Sequence, residues 1–277
     1  MVGNRTRNAL SRLAHVAVLG LLAGSLVGCD SSRATWESAI AGTGSDVSLG
    51  DMGYLGPVER VGPGAVWRMR PEKDGFALTR TSDRAPVPPE LIEIGPWVSG
   101  GEGASVVASG AADAVVLSQI TGLAGDLAPD LAEAKSVTLS PGASRLVQLK
   151  PEPFLTWLDG LPDGDEYRQA VLRNERLIAS RLVEVDGMTA DVTFDAATAA
   201  RLRTALADGG ETSSAQANMG VPLMVTWTSD TTLRLAAQEP FYVFTGLSRY
   251  APAPGRGRGL LVPIAIAQDA PMMYEVF

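Results

Sequence analysis

The part of the chain that decides the fold is residues 221–250, which read VPLMVTWTSDTTLRLAAQEPFYVFTGLSRY. Aromatic and β-branched residues dominate this stretch, as they do on the half-buried surface of a sheet. Short turn signals divide it, so three strands are predicted, at residues 221–228, 231–236 and 241–249. Because the connections are short, consecutive strands are expected to pair antiparallel.

The residues before this stretch predict further strands and three helices. Apolar and polar residues alternate over 188–194, which predicts a strand, and Asp195 then stands where it caps a helix with an apolar stripe at Ala199, Leu202 and Leu206. An earlier helix is predicted along Val116, Ile120, Leu123 and Leu127. Another is predicted after an Asp163 or Asp165 cap, along Tyr167, Ala170, Val171, Asn174 and Ile178. The remaining predicted strands are 65–70, 76–80, 91–98 and 181–185.

Together these patterns predict an α+β fold. We expect a single domain at residues 53–250, with a mainly antiparallel sheet and about three helices. The composition agrees, because 45% of the residues are hydrophobic, enough for a sizeable core.

The N-terminus has the three parts of an export signal. Arg5, Arg7 and Arg12 form a basic segment, and residues 13–27 form an apolar one. As a helix this apolar segment spans about 22 Å, short of the roughly 30 Å of a bilayer core. A cleaved signal peptide is therefore predicted at residues 1–28.

The last part of this signal is Leu26-Val27-Gly28-Cys29, which resembles the lipobox of bacterial lipoproteins. The resemblance implies cleavage between Gly28 and Cys29, diacylglycerol on the Cys29 sulfur, and a fatty acyl chain such as palmitate on the new N-terminus. Asp30 resembles the inner-membrane retention signal of enteric lipoproteins. The implied location is the cell membrane, facing the periplasm, with the inner membrane favoured over the outer.

Two segments lie outside the predicted domain, one before it and one after it. Residues 29–52 are small and polar with isolated Trp36 and Ile40, and they predict a lipidated flexible tether spanning roughly 25–29 Å as a coil. Residues 251–277 predict a Pro/Gly linker and a C-terminal tail, in which 260–267 form an edge strand or dock in a groove.

The rare residues exclude most catalytic chemistry. The single His is His15 and the single Cys is Cys29, so nothing after Cys29 can build a Ser-His-Asp triad, a Cys-His dyad or a His/Cys zinc site. The formal net charge is −8, and the one basic cluster is Arg256 with Arg258, so a nucleic-acid partner is not expected. We expect no metal and no cofactor beyond the covalent lipid.

Carboxylates are the remaining candidates for chemistry. Asp163, Asp165 and Glu166 form the densest group, which is compatible with a helix cap, a cation site or, less favoured, a carboxylate-based hydrolase. Four tryptophans are compatible with either the core or a sugar or lipid pocket: Trp67, Trp97, Trp157 and Trp227.

Several segments together resemble bacterial gasdermin-like proteins. The pieces are residues 62–67, 166–180, 181–185, 195–206, 225–235 and 240–244. The resemblance implies a membrane-permeabilising protein in which residues 251–277 are an inhibitory tail. The export signal and the acidic charge depart from that family, whose members are cytosolic and bind anionic lipids.

The sequence thus favours a membrane-anchored, non-catalytic lipoprotein that binds an envelope component or a protein partner. The gasdermin-like pore former is the alternative.

Overall fold

The computed structural model describes residues 32–41, 47–58, 61–72, 75–81, 86–99, 104–106, 133–208, 215–216, 221–252, 259–266 and 272–274. The signal peptide, Gly28, Cys29, Asp30, the helix predicted along 116–127 and the Arg256–Arg258 cluster lie outside these residues.

Four helices and sixteen strands are described. The helices are α1 (32–41), α2 (Pro151–Gly160), α3 (Glu166–Leu172) and α4 (Ala196–Asp208). The strands are β1 (Gly53–Val58), β2 (Val66–Glu72), β3 (Gly75–Arg80), β4 (Ile92–Ile94), β5 (Val98–Ser99), β6 (Ala104–Val106), β7 (Ser136–Ser140), β8 (Ala143–Leu149), β9 (Arg176–Asp186), β10 (Thr189–Thr193), β11 (Ala215–Gln216), β12 (Pro222–Trp227), β13 (Thr232–Ala237), β14 (Phe241–Pro252), β15 (Gly259–Ile264) and β16 (Met272–Tyr274).

These strands form two sheets. The ten-stranded sheet runs β1-β14-β9-β2-β3-β16. In it β8 also pairs with β9 and carries β4 and β5, while β15 pairs with β14. The six-stranded sheet runs β11-β12-β13-β10-β7-β6. Among the described strand pairs only β3 with β16 is parallel, so the predicted α+β class with mainly antiparallel sheet is confirmed.

The largest core cluster lies between the two sheets. It joins Val185 of β9 and Phe244 of β14 to Val192 of β10 and Leu235 of β13, all of them buried. The α4 stripe faces the same cluster, with Ala199 and Leu202 buried and Leu206 packed against it. The predicted cap is also present: the Thr198 N–H donates to Asp195 Oδ1 at 2.8 Å and holds the pKa of Asp195 below its ordinary value.

Helix α1 contributes to this core, so the prediction of a flexible coil is wrong for residues 32–41. Trp36 and Ile40 are both 0% exposed, and the Trp36 ring meets the edge of the Phe241 ring at 6.0 Å. Their spacing of four residues places both side chains on one helix face. The burial of that face outweighs the small, polar composition that favoured a coil.

Two other predictions need correction. Helix α3 ends at Leu172, where Arg173 has extended backbone, and Ile178 lies in β9 instead of on the helix stripe. The strand predicted at 91–98 is split into β4 and β5, because the Gly95-Pro96 dipeptide interrupts the pairing with β8.

The C-terminal strands are part of the large sheet. β15 pairs with Leu247–Pro252 of β14, so the edge-strand prediction for residues 260–267 is confirmed over β15. β1 pairs with the earlier part of β14, between Tyr242 and Thr245. Because β9 occupies the other edge of β14, β1 and β15 lie end to end along one edge.

A candidate binding cleft

A cleft of about 390 Å³ opens beside β8. Its walls come from segments far apart in the chain: the turn before β1, the connection between β4 and β5, and the facing parts of β8 and β9. The lining residues are Val47, Ser48, Met52, Gly95, Pro96, Val98, Ser144, Arg145, Leu146 and Arg181. Most of these side chains are apolar, which is typical of ligand sites in proteins.

Arg33 of α1 holds one wall of the cleft in place. Its guanidinium donates to the carbonyl oxygens of Leu49 at 2.9 Å and of Met52 at 2.7 Å, and its Nε lies 2.7 Å from a Glu37 carboxylate oxygen. Arg33 is only 4% exposed, so these partners compensate the cost of burying its charge. Helix α1 and the 47–52 wall are therefore fixed to each other.

The two arginines in the cleft are each paired with a carboxylate. Arg145 Nε lies 2.5 Å from Glu184 Oε2, and Arg181 Nη2 lies 2.5 Å from Asp51 Oδ2. Gly246 makes room for the second pair, because a Cβ at that position would lie 2.9 Å from Arg181 Nε. Both positive charges are thus offset within the protein.

One polar group in the cleft is left without a partner. Ser144 is 1% exposed, and its hydroxyl finds no hydrogen-bond partner in the part of the chain that the structure describes. An unpaired buried hydroxyl costs free energy. The exposed Ser48 and the buried Ser144 are the uncharged polar residues of a cleft whose other lining is apolar or charge-balanced.

Two exposed apolar residues, Ile94 and Trp97, flank the lining pair Gly95 and Pro96 along the chain. The Trp97 ring is 39% exposed and lies 4.0 Å from the Arg145 guanidinium, face to cation. Ile94 is 57% exposed and directly precedes the lining residue Gly95. We call Ile94 and Trp97 the apolar rim.

The carboxylates predicted from sequence lie away from this cleft and have structural roles. Asp165 caps α3 by accepting from the Arg168 N–H at 2.9 Å, and Asp163 pairs with the Arg168 guanidinium. No group of three metal-ligating side chains occurs within the described ranges. Helix capping, one of the three alternatives drawn from the sequence, is thus confirmed for Asp165, and a cation site at Asp163, Asp165 and Glu166 stays a prediction.

The four tryptophans do not share a pocket. Trp67 is fully buried, Trp157 packs between Phe154 and Tyr167 at 5.7 Å from each ring, and Trp227 lies 6.4 Å from Phe194 in the other sheet. Only Trp97 lies at the cleft. No sequence motif marked the cleft residues Ser144, Arg145 and Arg181, although opposite charges at Arg145 and Glu184 are a usual cross-strand pair.

No helix within the described residues is long and apolar enough to cross a bilayer. No protein-family model and no curated protein matches the chain.

Among solved structures, the chain is similar to a bacterial gasdermin. That protein, from Bradyrhizobium tropiciagri, shares 12% identity over 81% of this chain and 90% of its own, with a TM-score of 0.44.

Proposed function

We propose that this protein is a membrane-anchored lipoprotein of the bacterial cell envelope that works by binding, without catalysis, and that the cleft is its binding site. The observation that carries the binding part is the cleft itself, in which apolar side chains lie beside two arginines that are already neutralised. Paired in this way, neither guanidinium is free to stabilise a developing charge, and the lining residues among those the structure describes include no His, Cys, Asp or Glu.

The anchoring part is supported by the sequence at Leu26–Cys29. Cys29 is the only sulfhydryl in the chain, so a thioether to diacylglycerol can form nowhere else. Two or three acyl chains on one residue hold a protein on a membrane far more firmly than one, because each buried methylene contributes about 0.8 kcal/mol.

Replacing Cys29 with serine is expected to abolish labelling of the protein by a radioactive or clickable fatty acid in bacterial cells. The hydroxyl oxygen cannot form the thioether, so the processed, membrane-bound form is lost. Gel autoradiography of the membrane fraction gives the readout, with Ser32→Ala, close by and downstream of the modified residue, as the matched control. Labelling that persists in Cys29→Ser would contradict the anchor.

A photo-crosslinking residue placed at Ser48 is expected to give one discrete adduct in intact cells. Ser48 is exposed and lines the cleft, whereas Ser38 is exposed on α1 and is not among the lining residues of the cleft, so the same probe at Ser38 is the control. Equal adducts from both positions, or none from Ser48, would count against an occupied cleft. Mass spectrometry of the adduct identifies the bound component.

A second candidate function is membrane permeabilisation controlled by the C-terminal segment. The observation that favours it is β15, which pairs with part of the edge of β14. Along the chain, residues 253–258 connect the two strands. Removal of this segment uncovers a strand edge that is free to pair with another copy. Leakage of lipid vesicles after truncation separates this function from binding.

A further inference from the structure

The distance between the anchor and the folded domain is the starting observation. Only three peptide steps separate Cys29 from Ser32, the first residue of α1, and they reach at most about 11 Å. Since α1 is packed into the core through Trp36 and Ile40, it cannot serve as a spacer. A lipid on Cys29 therefore brings the domain directly to the bilayer surface.

The cleft lies at the end of the domain that this anchor brings to the membrane. Arg33, the second residue of α1, donates to Leu49 and Met52, and Met52 lines the cleft. The start of α1 and the cleft wall are thus one arginine side chain apart. The apolar rim is next to the same cleft, because Trp97 contacts Arg145, which is a lining residue.

The side chains of the rim suit the bilayer interface. Tryptophan is enriched at the headgroup level of membranes, where its amphipathic ring is stable, and an exposed isoleucine gains free energy by leaving water. Charge contributes little, because Arg145 and Arg181 are paired with Glu184 and Asp51. A contact of this kind is expected to be insensitive to salt.

From these observations we infer that the rim formed by Ile94 and Trp97 inserts into the bilayer surface beside the Cys29 anchor and turns the cleft toward the lipid headgroups. This inference rests on the proposed lipid anchor. The partner of this face is then the membrane surface itself, and net charge contributes nothing to the contact.

The test is fluorescence quenching by brominated lipids. The full chain is produced in bacteria, purified from membranes as the processed protein, and reconstituted into phosphatidylcholine vesicles containing bromines near the headgroup. Trp97→Phe is expected to remove most of the quenchable tryptophan fluorescence, in low and high salt alike. Trp227→Phe is the matched control, since Trp227 is also partly exposed but lies in the other sheet against Phe194, and it is expected to leave quenching unchanged.

The mass of the Cys29 peptide, measured on the same preparations, tests the lipid anchor separately from the insertion of the rim. An acylated Cys29 with no loss of quenching in Trp97→Phe overturns the insertion of the rim and leaves the anchor standing. A Cys29 that carries no lipid overturns the anchor and the inference built on it. Thermal unfolding of Trp97→Phe, expected to match the unmodified protein, confirms that the variant is folded.

Discussion

Replacing Trp36 with alanine is expected to lower the free energy of unfolding by about 3–5 kcal/mol, the range typical of large aromatic side chains removed from a core. Trp36 is fully buried between the two sheets and touches Phe241 of β14, so its loss leaves a cavity that neighbouring rings cannot fill. A folded domain is stabilised by only about 5–15 kcal/mol in total, so the variant is expected to lose a large fraction of its stability.

Chemical unfolding followed by circular dichroism measures this effect. Ser38→Ala, an exposed position on the same helix, is the matched control, because it alters α1 without touching the core and its effect is expected to stay within about 0.5 kcal/mol. If Trp36→Ala lowers the free energy of unfolding by less than about 1 kcal/mol, α1 does not stabilise the domain. The prediction of a flexible tether would then hold for residues 32–41.

Ending the chain after Pro252 is expected to destabilise the protein strongly and to make it self-associate. The truncation removes β15, with its ladder to β14, and the buried Ile266, whose burial alone contributes about 1.5–3 kcal/mol. It also uncovers Tyr250, which Gly259 now covers so closely that a Cβ there would lie 2.2 Å from the ring. The exposed edge of β14 offers unpaired backbone groups to a second copy.

A chain ending at Gln268 is the matched control, since it keeps β15 and Ile266 and, of the described elements, loses β16 alone. Unfolding curves and light scattering report stability and association, and dye release from vesicles reports permeabilisation. Unchanged stability after truncation at Pro252 would show that β15 contributes nothing to the fold. Dye release by that truncated chain, with none from the control, would favour the second candidate function over binding.

The elements predicted correctly from sequence are those whose own residues carry the signal. β12 and β14 are rich in β-branched and aromatic residues, and β13 alternates buried Leu233 and Leu235 with less buried residues. Helix α4 has both an Asp195 cap and an apolar stripe. The hairpin of β2 and β3 likewise follows from local alternation and turn residues. Local patterns suffice for such elements because burial and propensity favour the same structure.

Other elements depend on partners that are distant in sequence. Two isolated residues, Trp36 and Ile40, do not indicate a helix until β14 provides a surface for them. β8 was not predicted, although Val147 and Leu149 alternate with polar residues, since its pairing with β9 comes after two intervening helices. The cleft was beyond sequence reasoning, because Met52, Gly95, Arg145 and Arg181 are far apart in the chain and meet only after the ten-stranded sheet has formed.

The contact between Trp36 and Phe241 also bears on how the protein folds. It joins two residues separated by about two hundred positions, and such long loops close slowly because their entropy must be lost before the contact forms. The core between the sheets is thus incomplete until β14 has been synthesised, near the end of the chain. A nascent chain with this topology therefore lacks its main core until nearly all of its strands have been synthesised.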